Sequence, residues 1–268
     1  MPEEPQENIS GGADGSAAAV FETGEAGTRA EAVVDELGRR YWQKTYGGKD
    51  AFESLVRTIL SQNTSDVASQ PAHDALMERY GSDDSDLAAA LADAEQSQLA
   101  ETISSAGLYN QKSEMIIGAA ERICAEYGGA DGFDAFVREE EPSDVRESLL
   151  DIHGVGPKTA DCVLLFSGGR DGVFPVDTHV HRIARRMGLA PADADHETVR
   201  EHLEADVPPE KCGFGHTAMI QFGREYCSAR KPACLDGPEA CPLYDLCDRV
   251  GVDEVAESVV DPAAAGGE

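Results

Sequence analysis

Apolar residues recur at helical spacing through most of the chain. One stripe comprises Phe52, Leu55, Val56, Ile59 and Leu60, and another comprises Met115, Ile116, Ala119 and Ile123. Intervals of three and four residues place such side chains on one face of an α-helix. No segment alternates apolar and polar residues as a half-buried strand would. The pattern therefore predicts an all-α protein.

Short polar breaks separate the predicted helices. They lie at 81–86, 128–132 and 167–169, and Ser143 and Thr178 are residue types that cap helix starts. No repeat of fixed period is present, so a solenoid is not expected. The two ends, 1–28 and 251–268, carry few large apolar side chains and no periodicity. We predict that both are disordered acidic tails.

The formal net charge of −29 argues at first against a nucleic-acid partner, because Lys and Arg supply most of the non-specific affinity for phosphates. The charge is unevenly spread, however. Residues 1–36 hold nine acidic side chains against one basic one, and 251–268 hold five against none. Between Lys158 and Lys231, ten basic residues stand against eleven acidic ones. A DNA-binding surface can form in that segment.

The remaining acidity, with few lysines and much Ala, Asp and Glu, is typical of a protein adapted to a very salty cytoplasm. At about 1 M salt the Debye length is roughly 3 Å, and repulsion among carboxylates is screened. The alternative is a protein of ordinary salt that carries acidic tails.

The sequence also bears on location. It has no run of about 18 apolar residues that could span a membrane, and its first residues lack the basic-then-apolar pattern of a signal peptide. Four of the seven cysteines lie between Cys227 and Cys247, which suits metal ligation in a reducing compartment better than a disulfide scaffold. We therefore expect a cytoplasmic protein without a membrane partner.

A tight turn, His153-Gly154-Val155-Gly156, lies between two apolar helical segments. Its two glycines allow a close bend and direct N–H groups, together with the positive start of the next helix, towards an anion such as a DNA phosphate. A turn that merely joins two helices is the alternative. Lys158 begins the following helix, where the dipole disfavours an ammonium ion, and a neutral amine is a nucleophile.

The segment FPVDTHVHRIARR begins shortly after this helix and places Asp177 nineteen residues beyond Lys158. Asp177 is a candidate catalytic carboxylate. Arg182, on the helix that follows, is a candidate DNA contact beside Arg185 and Arg186. The alternative is an ordinary helix-start carboxylate followed by a solvated basic face.

Near the end of the chain, four cysteines form a C-x6-C-x6-C-x5-C array, namely Cys227, Cys234, Cys241 and Cys247. Four thiolates in one loop can hold a [4Fe-4S] cluster or a tetrahedral zinc ion. The residues between them are loop formers, which disfavours the alternative of four unligated core thiols. Cys124, Cys162 and Cys212 lie in helical or apolar contexts and are expected to be core thiols.

In this order, the hairpin lysine, the aspartate of VDTH and the cysteines resemble the endonuclease III branch of the helix-hairpin-helix DNA glycosylases. The resemblance runs from about residue 30 to 250 and includes LSQNTSD at 60–66 and AGLYNQKSE at 106–114. It implies an all-α, two-lobed fold with a C-terminal iron-sulfur cluster loop. A six-helix domain with the hairpin would span 44–170, and a cluster-containing helical domain would combine 29–43 with 171–250.

The resemblance further implies an activity: base excision repair of damaged, oxidised pyrimidines, with AP lyase cleavage by β-elimination through a lysine Schiff base. Lys158 would be the nucleophile and Asp177 the catalytic carboxylate. Asn63, or its neighbour Gln62, would fill the hole left by a flipped base, and Leu108 would be an apolar wedge in the opposite strand. The substrate would be double-stranded DNA with damaged or abasic sites, bound by a monomer.

Three departures from the family's pattern concern specificity and the cluster. The second cysteine spacing is x6 where x2 is common, Asn63 stands where Gln is usual, and His153 stands where the hairpin often has Pro. These departures leave the chemistry intact. Apart from them, two other functions stay open. One is a monofunctional mismatch glycosylase for adenine or thymine, and the other is a non-catalytic DNA-binding iron-sulfur module.

Overall fold

A computed structural model describes residues 25–41, 50–82 and 86–265 of the chain, and these residues are predominantly α-helical. The α-helices are α1 Arg29–Arg40, α2 Ala51–Ser61, α3 Asp66–Tyr80, α4 Leu87–Ala92, α5 Gln96–Thr102, α6 Tyr109–Tyr127, α7 Ala130–Glu139, α8 Pro142–Leu150, α9 Pro157–Val163, α10 Thr178–Met187, α11 His196–Asp206, α12 Pro209–Glu225 and α13 Pro262–Ala265. Strands β1 Val252–Asp253 and β2 Ser258–Val259 pair antiparallel. The all-α prediction is confirmed.

Shorter helical turns complete the described residues. A π-helical turn, Leu164–Gly168, extends α9, and 3-10 turns lie at Ser104–Ala106, Ala233–Asp236, Pro238–Ala240 and Tyr244–Leu246. None of the helices in the described ranges is long and apolar enough to cross a lipid bilayer.

The chain divides into two compact units, one formed by residues 46–170 and the other by 1–45 together with 171–268. The first unit holds α2 to α9, and the second holds α1 and α10 to α13. The first unit thus has eight α-helices in its described part, where we expected six. Two of these, α4 and α5, are short, and the break at Asp93 to Glu95 separates them.

Helix α2 is the centre of the first unit. Asp50 caps it by accepting a hydrogen bond from the Glu53 N–H at 2.8 Å, an interaction that typically stabilises a helix by about 1 kcal/mol. All five apolar residues of the predicted stripe on α2 are completely buried. Helices α3, α6, α7 and α9 pack around this helix. The hydrophobic pattern therefore identified the core element of this unit correctly.

The second unit is built on α12, which packs against α1 and α10. Helix α1 contributes the buried side chains Val33, Val34 and Leu37. The buried Lys211 of α12 pairs with two carboxylates of α1, that of Glu31 at 2.7 Å and that of Asp35 at 2.6 Å. Lys211 thus has a carboxylate on each of two sides, and its buried positive charge is compensated.

The C-terminal residues correct our expectation of a disordered tail beginning at 251. Residues 252–265 form the β1–β2 hairpin and α13, and Asp261 accepts a hydrogen bond from the buried Arg185 at 2.5 Å. Pro262 is buried. The ordering depends on contacts to α10, which lies more than seventy residues earlier in sequence. The predicted N-terminal tail falls mainly on residues 1–24, outside the described ranges.

Candidate active site and cysteine loop

The hairpin between α8 and α9 has the shape that the glycine pattern predicted. Gly154 adopts φ +84°, and a Cβ atom there would lie 1.9 Å from the Cε of Met115. The left-handed backbone therefore favours glycine, and any larger residue would also displace the Met115 side chain. At Gly156, in contrast, an added Cβ would meet no atom within 4 Å. The space in front of the start of α9 is thus open to a ligand.

Two interactions hold the hairpin in place. The guanidinium of Arg146 on α8 pairs with the carboxylate of Asp161 on α9 at 2.7 Å. From α2, the side-chain amide of Gln62 donates to the Gly154 carbonyl at 3.0 Å and to the Thr159 hydroxyl at 3.2 Å. Because its N–H groups are engaged in this way, Gln62 supports the hairpin from within the unit.

Lys158 lies at the second position of α9, directly after Pro157. Its side chain is half-buried and makes no hydrogen bond or ion pair within the described residues. The other three lysines of these ranges, Lys112, Lys211 and Lys231, each contact an acceptor or a carboxylate. Among the lysines of the described ranges, Lys158 is therefore the one whose amine has no hydrogen-bond or ion-pair partner.

Asp177, in the second unit, is the N-cap of α10. Its Oδ1 accepts hydrogen bonds from the N–H groups of His179 and Val180, both at 2.8 Å. Oδ2 makes no hydrogen bond within the described residues. The carboxylate is thus fixed by one oxygen and presents the other. The cap is Asp177 rather than Thr178, since its carboxylate reaches both N–H groups.

A similar shift by one or two residues occurs at α8, where Glu141 is the N-cap and Pro142 the first helical residue. Ser143, which we expected to cap this helix, already lies inside it. Proline is favoured at the first helical position, since its fixed φ suits the helix and its missing N–H would have no partner there.

Several hydrogen bonds hold the side chain of Arg182 within the second unit. Its guanidinium donates to the Cys227 carbonyl at 2.9 and 3.2 Å, to the Thr178 carbonyl at 3.4 Å and to the His179 ring at 3.2 Å. Burial lowers the pKa of this side chain. All three nitrogens have hydrogen-bond acceptors within the second unit, so Arg182 braces the cysteine loop. A DNA contact by Arg182 stays a prediction.

Arg185 and Arg186 are also turned inward, which excludes the solvated basic face. Arg186 is only 2% exposed and donates to the Ser228 carbonyl at 2.8 Å and to the Cys227 Sγ at 3.3 Å. Its Nε has no hydrogen-bond partner in the described residues. The burial of Arg185 and Arg186 could not be predicted from the sequence, because arginines on a helix usually remain solvated.

The four predicted cysteine ligands line one cavity. Its wall consists of Arg186, Met187, Phe222, Tyr226, Cys227, Pro232, Cys234, Cys241, Tyr244, Cys247 and Arg249. Within the described ranges, no three His, Cys, Asp or Glu side chains are close enough to hold a single metal ion. Four thiolates around one cavity can hold a [4Fe-4S] cluster or a tetrahedral zinc ion.

The chemistry of this donor set fits a metal centre held by thiolates. Burial raises the pKa of the Cys247 thiol to about 12, and it raises the pKa values of Cys234 and Cys241. Metal binding must therefore displace protons from these thiols. The guanidinium groups of Arg186 and Arg249 stand in the same wall and offset the negative charge that four thiolates introduce.

Two exposed loop tips of the first unit carry the remaining predicted residues. Asn63 and Leu108 both adopt a left-handed backbone, with φ of 51° and 46°. Asn63 is exposed, and Leu108 is 54% exposed. A leucine held in this conformation and in solvent is unfavourable on both counts. Such a residue indicates a contact surface.

Lys112, which was not among the predicted site residues, is 2% exposed although it is charged. The spacing places it on the buried stripe of α6, because Lys112 precedes Ile116 by four residues.

A protein-family model described as "HhH-GPD superfamily base excision DNA repair protein" matches residues 56–209. This range includes the hairpin, Lys158 and Asp177. The chain belongs to the HhH-GPD superfamily of base excision DNA repair proteins.

Within this superfamily, the chain is similar to endonuclease III. It is 32% identical over 219 residues to endonuclease III of Thermotoga maritima, which covers 81% of this chain and 92% of that protein. The identity to endonuclease III of Bacillus subtilis is 32% over 196 residues, with 73% and 80% covered. The predicted resemblance to the endonuclease III branch is confirmed.

Solved structures agree with this assignment. A non-covalent endonuclease III–DNA complex matches with a TM-score of 0.65 and 27% identity, over 81% of this chain and 93% of that one. A trapped endonuclease III–DNA covalent intermediate matches with a TM-score of 0.62 and 28% identity, over 76% and 86%.

Proposed function

We propose that this chain is a bifunctional DNA glycosylase and AP lyase, which acts as a monomer on duplex DNA and removes damaged, oxidised pyrimidines. The observation that carries the proposal is the amine of Lys158. It is half-buried, lacks a partner within the described residues and stands beside the open space at Gly156. A lysine with no structural role at this position is suited to nucleophilic catalysis. The similarity to a trapped covalent endonuclease III–DNA intermediate supports the same role.

DNA recognition begins with contacts to the phosphates of the DNA backbone. The turn at Gly154 and Gly156 lets a phosphate approach the start of α9, where the first N–H groups of the helix lack intrahelical acceptors. Arg230 and Lys231, both exposed in the cysteine loop, add positive charge for a second phosphate contact. These interactions ignore base sequence and locate the duplex.

Base extrusion follows, because the sugar carbon under attack is not accessible inside the duplex. Unstacking costs a few kcal/mol and least at a damaged or mispaired base. Asn63 fills the space that the flipped base leaves, and Leu108 enters the opposite strand. Of the two polar candidates, Asn63 is exposed, whereas the N–H groups of Gln62 are bound to the hairpin. We therefore assign the filling role to Asn63 and a supporting role to Gln62.

The chemistry proceeds through Lys158 and Asp177. The neutral amine attacks C1′ of the sugar, a C–N bond forms and the bond to the base breaks. The ionised carboxylate of Asp177 stabilises the positive charge that develops on the sugar and accepts the proton lost by the amine. Opening of the sugar ring yields a Schiff base. Loss of the 2′ proton then expels the 3′ phosphate by β-elimination and leaves a nicked strand.

We propose further that Cys227, Cys234, Cys241 and Cys247 hold a [4Fe-4S] cluster. When bound, the cluster would cross-link the loop that carries Arg230 and Lys231 and so present these side chains to DNA. Arg182 and Arg186 anchor the other side of that loop through the Cys227 carbonyl and Sγ. Zinc in the same position is the alternative.

The cluster is expected to show in the purified protein as equal amounts of iron and inorganic sulfide, with absorbance in the visible region. The variant Cys234→Ser should lose both, because one of four ligands is removed. The matched control is Cys124→Ser in α6, a half-buried thiol of the first unit, which should retain the full metal content. Stoichiometric zinc in a colourless protein would contradict the proposal.

The proposed activity is tested by product analysis on duplexes with a single oxidised pyrimidine, a single abasic site or a mismatch. The expected product is a strand nicked without alkali at oxidised pyrimidines and abasic sites, since lyase and glycosylase share Lys158. An intact abasic strand would indicate the monofunctional alternative. No turnover on any substrate would indicate a DNA-binding module without catalysis.

The same assay tests our proposal that the acidity is an adaptation to high salt. Carboxylate repulsion weakens as salt is added, so activity and thermal stability should both rise from dilute buffer to multimolar KCl. Optimal function in dilute buffer would instead assign the charge to acidic tails on a protein of ordinary salt.

A further inference from the structure

The side chain of Lys112 makes an unusual set of contacts for a buried cation. Its ammonium group donates to the Leu60 carbonyl at 2.7 Å, to the Thr64 hydroxyl at 2.7 Å and to the Ala106 carbonyl at 2.9 Å. An ammonium has three donors, and here each has an acceptor. All three acceptors are neutral, and no carboxylate pairs with Lys112 within the described residues. Burial lowers the pKa of this lysine accordingly.

These acceptors belong to the bases of the two exposed loop tips. Leu60 and Thr64 flank the tip that carries Asn63, and Ala106 precedes the tip that carries Leu108. The Thr64 hydroxyl also donates to the Ala106 carbonyl at 2.5 Å, which connects the two bases directly. The Leu60 carbonyl lies at the end of α2, where a cation is favoured by the helix dipole. One side chain thus fixes three backbone or hydroxyl groups at two loops.

The tips themselves are exposed and have an unfavourable backbone conformation. Asn63 and Leu108 are two of four non-glycine residues with positive φ in the described part of the chain. Gly107, between Ala106 and Leu108, has no atom within 4 Å of a Cβ built on it. Three of the five exposed large apolar side chains in these ranges, Val67, Leu108 and Tyr109, lie at or beside the tips. The tips are strained and exposed, and the ammonium group of Lys112 holds their bases in place.

We propose that Lys112 is a positioning residue that couples the two tips and holds Asn63 and Leu108 ready to enter the duplex together. The inference rests on the proposed function, because it assigns those tips to DNA. Lys112 lies beneath both tips and touches neither DNA nor the reacting atoms. Its role would be to set the distance between the residue that fills the gap and the residue that enters the opposite strand. That distance matters only when a base has to be extruded from a duplex.

The proposal predicts a substrate-dependent defect in the variant Lys112→Met, which keeps a long side chain and removes the three donors. Processing of an oxidised pyrimidine in duplex DNA should fall about 10- to 100-fold, because a misplacement of ~1 Å can cost about 100-fold. Cleavage of an abasic site in single-stranded DNA needs no wedge and should stay within about 2-fold. The fluorescence of 2-aminopurine opposite the lesion, which reports unstacking, should lose its rise on binding.

If Lys112→Met does not fold, a second pair of variants tests the coupling of the two tips. Thr64→Val removes the hydroxyl that joins the two bases, whereas Thr58→Val removes a half-buried hydroxyl that bonds only within α2, to the Ser54 carbonyl. Thr64→Val should lower the ratio of duplex to single-stranded activity, and Thr58→Val should leave it unchanged. The double variant Lys112→Met/Leu108→Ala should lose little more activity than the worse of the two single variants. Effects of residues that act together are not additive.

Equal losses on duplex and single-stranded substrates would overturn the proposal, because they would reveal a general role in folding. Unchanged activity on both would overturn it as well. Failure of the underlying function is a separate result: wild-type protein would then cleave no abasic DNA of either kind.

Discussion

Replacing Lys158 by alanine is expected to abolish the borohydride-dependent cross-link between the protein and DNA. The cross-link requires a Schiff base, and the amine of Lys158 is the one without a partner in the described residues. Single-turnover strand cleavage should fall by about 10³-fold or more, the scale seen when an enzyme loses a covalent nucleophile. Because Lys158 forms no structural contact there, the thermal midpoint should hardly change. Denaturing gels after borohydride treatment measure the cross-link.

The informative control is Lys158→Arg. Arginine keeps a long basic side chain beside the hairpin, but its guanidinium stays protonated and is not a nucleophile. This variant should bind abasic duplex nearly as well as wild type and form no cross-link. If either variant still cross-linked at the wild-type rate, another amine would be the nucleophile and our assignment of Lys158 would be wrong.

Replacing Asp177 by asparagine is expected to slow base release by about 10²- to 10⁴-fold, the range for loss of a positioned acid or base. The structural role should survive, because asparagine caps helices as well as aspartate does. Its side-chain oxygen can still accept from the N–H groups of His179 and Val180, which bind Oδ1 in the structure. The substitution removes only the negative charge of the Asp177 side chain. Single-turnover release of an oxidised pyrimidine measures the effect, and cross-linking to a preformed abasic site should persist.

Asp195 offers a matched control in the same unit. It is the N-cap of α11, and its Oδ1 accepts from the Thr198 N–H at 2.8 Å, much as Asp177 does at α10. Asp195→Asn makes the same chemical change at a helix start without a proposed catalytic role, and base release should stay at the wild-type rate. Equal slowing in both variants would show that the charge acts on the fold. A normal rate in Asp177→Asn would remove Asp177 from the mechanism.

Much of the hairpin could be predicted because its requirements are local. The left-handed backbone at Gly154 and the helix that Pro157 and Lys158 begin depend on residues a few positions apart. The same holds for the stripe on α2, whose apolar spacing matches its burial. At these positions the residue types and their spacing are enough to predict the backbone conformation and the burial.

The contacts of Arg182 could not be predicted from its neighbours in sequence. Its spacing on α10 suits a basic face, and the deciding fact is the carbonyl of Cys227, 45 residues further on. The end of the chain is similar, since Asp261 is held by Arg185, 76 residues earlier. The composition of either segment contains no sign of such partners.

The sequence by itself determined the helical class, the glycine turn with its lysine, the aspartate at the start of α10 and the cysteine array, because each depends on short-range spacing. Only the tertiary structure decided how the side chains are used: Arg182 and Arg186 turned towards the cysteine loop, Gln62 bound to the hairpin, and Lys112 beneath two strained tips. A polar side chain adopts the partner that burial places beside it, since an unpaired buried donor is costly. That partner is set by the packing of helices distant in sequence.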